Sequence, residues 1–146
     1  MVKYKTYVLK RMNMPFTIVF VRGNFDETLI EALNRVVNEI DKYLKNVEEK
    51  FSPFLPDSLV SKHTDIGEVL QEDFFDLEYQ EIYSRSIIAK KETHGLFNPF
   101  FGGKYNPTGF VKGWAIENAF MKYIKPLIDS NIIEAGAING AGDMQV

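Results

Sequence analysis

Cysteine is absent from this 146-residue sequence. That excludes a disulfide framework, a thiol nucleophile and a cysteine-built metal site. It also fits a reducing compartment, so a cytoplasmic location is expected. Histidine is scarce, at two residues, His63 and His94. They lie far apart, without the short spacing of zinc ligands, so no zinc centre is expected. There is no Gly-x-Ser-x-Gly elbow to support a serine hydrolase. There is also no Walker A loop and no G-x-G-x-x-G dinucleotide fingerprint. Long apolar runs are missing too: Lys3, Lys5, Lys10 and Arg11 interrupt the first stretch. Neither a signal peptide nor a membrane span is therefore expected. Positive charge is not in excess, the net charge being -3, which argues against sequence-independent nucleic-acid binding.

What remains is ordinary globular material, 45% apolar and 25% charged, with 12 Phe and 7 Tyr to fill a core. The length fits one domain spanning 1–146. Tyr4 to Leu9 alternates, with Tyr4, Thr6 and Val8 set against Lys3, Lys5 and Lys10, the pattern of a half-buried strand. Phe16 to Val21 is a second, β-branched strand, near enough to pair with the first as a hairpin. Asp26 to Lys50 is the clearest helix, with Leu29, Leu33, Val37, Ile40, Leu44 and Val47 at helical spacing and Asn24 or Asp26 as its cap. Glu68 to Gln71 suggests a short strand. Asp73 to Thr93 suggests a second helix, striped by Phe75, Tyr79, Ile82, Ser86 and Ala89 and stopped at Gly95. A third helix is expected from Lys112 to Ile128, bent or ended by Pro126, and then an apolar strand from Ile132 to Ile138. The order predicts an α+β fold with a mostly antiparallel sheet packed against helices.

Two glycine-bearing turns stand out: Asn106-Pro-Thr-Gly-Phe-Val-Lys112 before a helix, and Asn139-Gly-Ala-Gly-Asp143 after a strand. A helix N-terminus offers unpaired N–H groups and partial positive charge to an anion. With the helix starting at Lys112, this lysine falls in the first turn, where the dipole does not favour a cation. A nearby phosphate or carboxylate would explain it. Each turn also has a plain reading, since Asn and Gly supply the positive-φ positions that turns need. Asp143 closes its turn directly after the strand, where an acid could meet a ribose hydroxyl, a metal or a substrate proton, or cap its own turn.

Five blocks in order carry a resemblance. Met12-Asn-Met-Pro-Phe-Thr-Ile18 is similar to a Met-Gly-Thr opening strand, and Phe51-Ser-Pro-Phe-Leu-Pro-Asp-Ser58 to a Phe-Ser-Thr-Tyr-x-Pro-x-Ser loop. Thr93-His-Gly-Leu-Phe-Asn-Pro99 is similar to Thr-Gly-Gly-Ala-Phe-Asp-Pro. Asn106-Pro-Thr-Gly-Phe-Val-Lys-Gly-Trp-Ala115 is similar to Asp-Leu-Gly-Gly-Ile-Ala-Lys-Gly-Tyr-Ala, and Asn139-Gly-Ala-Gly-Asp143 to Asn-Ala-Gly-Gly-Asp. Together they resemble the N-terminal part of the ApbE family of FAD:protein FMN transferases.

The resemblance implies FAD and magnesium as cofactors, and transfer of FMN to a threonine or serine of an acceptor flavoprotein. It implies that Met12 and Phe54 line the flavin, and that Leu96, Phe97 and Asn98 form another part of the FAD pocket. It further implies that Asn106 and Lys112 contact FAD, Lys112 through phosphate, and that the Gly109 carbonyl faces magnesium. No catalytic residue is assigned. The departures matter. Asn98 and Asn106 stand where the family has aspartates, Phe54 where it has tyrosine, and Phe100 where it has threonine. Family chains are about twice as long, and their aspartate and threonine magnesium ligands lie in a C-terminal half without counterpart in these residues. The expectation is an ApbE-like homologue that is incomplete as a transferase. Two alternatives stay open: a non-catalytic flavin-binding or protein-interaction module, and a chain completed by a second copy or another polypeptide along an open edge of the last strand.

Overall fold

Strand-forming residues at both ends of the sequence build one sheet. The computed structural model describes residues 1–61, 76–100, 105–140 and 143–146. The strands are β1 (Lys3–Arg11), β2 (Met14–Arg22), β3 (Ala135–Gly140) and β4 (Asp143–Gln145), antiparallel in the order β1-β2-β3-β4. The described helices are α1 (Glu27–Phe51), α2 (Leu77–Glu92), α3 (Thr108–Ala119) and α4 (Lys125–Asp129), with a π-turn at Phe120–Ile124. The fold is α+β, as expected. The chain divides into two compact units: Met1–Asn46 with Lys112–Val146, and Val47–Val111.

In the first unit, β1 and β2 meet through Met12 and Asn13, both left-handed at φ 53° and 58°. Two successive positive-φ residues match the twist of a two-residue hairpin. Phe16, Ile18 and Phe20 alternate along β2 with no exposure, and Ile138 of β3 joins them. The α1 stripe of Leu33, Ile40 and Leu44 is equally buried. Asp26 is the cap, its Oδ1 accepting the Leu29 N–H at 2.7 Å. Arg11 fastens α1 to β1 by donating to both Asp41 oxygens, at 2.8 and 3.0 Å. Tyr7 adds a hydroxyl bond to Asn34 at 2.6 Å.

The first strand has the expected alternation but the opposite orientation. Tyr7 and Arg11 turn toward α1, while Tyr4 and Val8 are 68% and 59% exposed. Register carries this outward face across the sheet: Tyr4 pairs with Val21 and Val21 with Ala135, and Thr6 pairs with Val19 and Val19 with Ala137.

The third helix begins at Thr108 rather than Lys112. Pro126 breaks it as expected, because proline has no N–H to give the carbonyl four residues back and its ring clashes there. The helix widens just before it, the Lys125 N–H reaching back to the Phe120 carbonyl. The last long strand starts at Ala135 rather than Ile132 and runs through Asn139 and Gly140, which pair with Thr17 and Phe16. β4 pairs along the second half of its far side, at Ile138, Asn139 and Gly140. A Cβ on Gly140 would lie 2.7 Å from the Phe16 ring and 3.0 Å from Ile116 Cδ1, so glycine lets β3 approach that core closely.

In the second unit, Val47 and Phe51 from the end of α1 are buried with Tyr79 and Ile82 of α2. Phe51 stacks on Tyr79 at 5.8 Å between centroids. Asp76 caps α2 by accepting the Tyr79 N–H at 2.9 Å. Lys50 reaches Asp76 at 2.9 Å and Glu78 at 2.7 Å. Burial pulls the Lys50 pKa down, but the hydrogen bonds to the two carboxylates outweigh it and the net direction is up. For Asp76, burial pushes upward and is outweighed by the bonds from Lys50 and Tyr79, a net lowering. Helix α2 stops where expected: the Gly95 N–H bonds the Lys90 carbonyl at 2.8 Å and Gly95 has φ +85°. Phe75, Glu68 to Gln71 and Asp73 lie outside the described residues.

Candidate functional site

Within the second unit, the loop after α2 folds against the start of α3. Thr93 organises it, its hydroxyl donating to the Ala89 carbonyl at 2.8 Å and accepting the Phe97 N–H at 3.0 Å. The Asn106 N–H then bonds the Pro99 carbonyl at 2.6 Å. This brings Phe97 to Phe110, ring centroids 6.2 Å apart, and to Gly109, where a Cβ would sit 3.8 Å from the Phe97 ring. Leu96 projects from the same loop and is 94% exposed. Four of the expected residues, Leu96, Phe97, Asn106 and Gly109, therefore belong to one loop-and-helix junction, with Asn98 on the same loop.

The two asparagines do local work. Asn98 Oδ1 accepts the Phe100 N–H at 2.9 Å. Asn106 Oδ1 accepts the Thr108 N–H at 3.1 Å and also the Thr108 hydroxyl. A carboxylate oxygen would serve these turns equally well. Asparagine therefore preserves the junction and removes only charge.

Phe54 lies on the proline-fixed loop of the same unit, 70% exposed. Buried hydroxyls hold this loop: Ser58 Oγ donates to the Ser52 carbonyl at 2.6 Å, and Ser52 Oγ accepts the Phe54 N–H at 3.2 Å. The serines pair with backbone, which lets an aromatic ring stand out from a rigid turn.

Met12 and Lys112 belong to the first unit. Met12 forms the β1–β2 turn in a left-handed conformation that costs a non-glycine residue on the order of 1 kcal/mol. Strain of this kind concentrates at functional positions. Lys112 is the fifth residue of α3, not a first-turn residue, so the dipole argument made from sequence does not apply as stated. Its Nζ lies 3.7 Å from Asp143 Oδ2. Asp143 follows Gly140 in register at the start of β4, and Gly140 pairs with Phe16, at the sheet end where Met12 turns. The sequence singled out Lys112 and Asp143 separately. Only the tertiary structure shows that they meet.

The donor set does not suit magnesium. Gly109 is the second residue of α3, so its carbonyl takes part in the helix's own hydrogen bonding to the N–H four residues on. No group of three His, Asp or Glu side chains converges among the described residues. Magnesium demands near-octahedral oxygen ligands. One helical carbonyl does not supply them, and Asp143 is engaged by Lys112.

No family model and no curated protein matches the chain. Solved structures do. A mutant form of the flavin transferase ApbE from Vibrio cholerae aligns over 99% of this chain and 62% of its own, at TM-score 0.69 and 14% identity. The flavin transferase ApbE from Vibrio cholerae aligns over 100% of this chain and 60% of its own, at 0.67 and 14%. The ApbE protein from Thermotoga maritima aligns over 98% of this chain and 58% of its own, at 0.67 and 16%. The chain thus spans about three fifths of the length of each structure it matches, and over nearly all of its own length it has the fold of the ApbE flavin transferases.

Proposed function

We propose that residues 1–146 act as one ApbE-like domain that binds FAD and, as this stretch alone, does not transfer FMN. The observation that carries the reading is the fold match over 98–100% of the chain to flavin transferases. In this reading Phe54 and Met12 contact the isoalloxazine, and Leu96, Phe97 and Asn98 form a second part of the pocket. Asn106 contacts the nucleotide, and Lys112 meets a phosphate in exchange for Asp143. Binding is independent of magnesium, because the donors present do not fit it.

The experiment is a flavin-fluorescence titration of the chain with FAD and, in parallel, riboflavin, each with magnesium and with chelator. The expected result is saturable quenching by FAD that the metal does not alter. Lys112→Ala should weaken FAD about tenfold or more, the worth of a charge-assisted contact, and leave riboflavin unchanged. Asp143→Asn should leave FAD binding as tight or tighten it. Mass spectrometry after incubation with a threonine-bearing acceptor peptide should show no flavinyl adduct. An adduct would overturn the non-transferring part of the reading.

A second reading, a protein-interaction module without flavin, draws support from Asn98 and Asn106. Both sites need only a local acceptor and have it, without the negative charge a family nucleotide site carries. Absence of quenching at high micromolar FAD would favour it over the first.

A further inference from the structure

Two side-chain tethers fasten β1 to α1, and they differ in where they fall. Tyr7, in the middle of the strand, donates its hydroxyl to Asn34 Oδ1 at 2.6 Å. Its ring also meets Phe20 edge-on, at 5.9 Å between centroids, so packing holds this part of β1 as well. Arg11 is the last residue of β1. It grips Asp41 with two bonds, Nε to Oδ1 at 2.8 Å and Nη2 to Oδ2 at 3.0 Å. The hydrogen bond from Arg11 is the main cause that holds the Asp41 carboxyl below its usual range, so the pair is ionised at neutral pH.

Beyond Arg11 the chain enters the turn directly. Met12 and Asn13 both take positive φ. Asparagine tolerates that region but methionine does not, so the turn's own residues do not fix its shape. A strained conformation persists only where its surroundings over-determine it. The β1–β2 ladder ends at the Arg11–Met14 pair. A bidentate fork adds direction as well as strength at that last pair.

We propose that Arg11 and Asp41 are positioning residues: their clasp fixes the Met12–Asn13 turn, so that Met12 meets the isoalloxazine in one orientation. The inference rests on the flavin reading above. The clasp is not needed to keep β1 on α1, because Tyr7 and the buried Phe16, Ile18 and Phe20 of β2 already secure the hairpin there. What it adds is order at the turn.

The two tethers give a matched test. Asp41→Asn and Tyr7→Phe each remove one link between the same two elements and nearly preserve shape. Parent and variants are titrated with FAD and with riboflavin by flavin fluorescence. A turn that is competent about a tenth of the time raises an apparent Kd about tenfold. Asp41→Asn should therefore weaken FAD and riboflavin alike, by about tenfold. Tyr7→Phe should leave both at the parent value, even where its melting temperature falls as far. Asp41→Asn removes a negative charge, which by itself favours an anionic ligand. Weaker FAD binding therefore cannot come from net charge. An equal loss for riboflavin, which carries no phosphate, separates this effect from that of Lys112. Without ligand, amide hydrogen exchange at Met14, the partner of Arg11 across the turn, should quicken in Asp41→Asn and not in Tyr7→Phe. If Asp41→Asn does not fold, Arg11→Lys, which keeps the charge and loses the fork, is read in the same way. Unchanged exchange at Met14, or flavin binding that falls no further than in Tyr7→Phe, overturns the inference and leaves the flavin reading standing. A parent that binds neither FAD nor riboflavin overturns the flavin reading and this inference with it.

Discussion

Tyr105 shows how burial can set the direction of a titration. It is 2% exposed, with Tyr79, Tyr83 and Phe100 around it and its hydroxyl 3.4 Å from Ser86 Oγ. Burial pushes its pKa up to about 12, the Ser86 contact opposing only part of the rise. A raised folded-state pKa means that the neutral phenol belongs to the folded state. Its stabilising effect is fully present below pH 10, where the unfolded phenol is also neutral. It is lost as pH rises from about 10 to about 12, by roughly 2–3 kcal/mol in all. Tyr105→Phe removes the ionisation and keeps the packing. Its melting temperature should fall less than that of the parent between pH 9 and 11 in calorimetry, with the two proteins similar at pH 8. Equal alkaline slopes would mean that other groups govern this limb.

Between elements, β3 comes close to the Phe16 and Ile116 side chains at Gly140. The Cβ introduced by Gly140→Ala would press on the Phe16 ring and Ile116. Overpacking of this kind costs about 1–3 kcal/mol, to be read as a lower urea midpoint. Adding Phe16→Leu should make the double variant less unstable than the two losses summed, because the residues share one space. Legibility in the sequence followed the range of the physics. The α1 stripe and the β2 run were readable because their periods are local. So was the Gly95 stop, a local turn in which His94 and Gly95 both take positive φ. The α3 start was missed by four residues. Asn106-Pro-Thr-Gly reads as a turn, while in the structure Asn106 caps a helix already begun at Thr108. The orientation of β1 was not readable at all, because alternation gives two faces without saying which is covered. The Lys112–Asp143 pair was hidden because 31 residues separate a helix residue from a strand residue that only the tertiary fold brings together.

The molecule builds its sheet from distant stretches. The β2–β3 ladder pairs Val21 with Ala135 and Phe16 with Gly140. Such non-local pairing raises contact order, and closing the loop must precede the gain from pairing. Refolding from urea should therefore be slow for the size, in milliseconds to seconds by stopped-flow fluorescence of Trp114. A microsecond phase carrying the full amplitude would contradict this. The same connectivity has a consequence on the ribosome. The β1–β2 hairpin is complete at Arg22, but its neighbour β3 begins only at Ala135. At elongation rates of about 5–20 residues per second, the hairpin waits roughly 5–25 s for that partner. Among the described elements, α1 is the first synthesised after the hairpin that can shelter Phe16, Ile18 and Phe20. The Arg11–Asp41 clasp, formed between two early segments, is positioned to hold that shelter in place on the nascent chain.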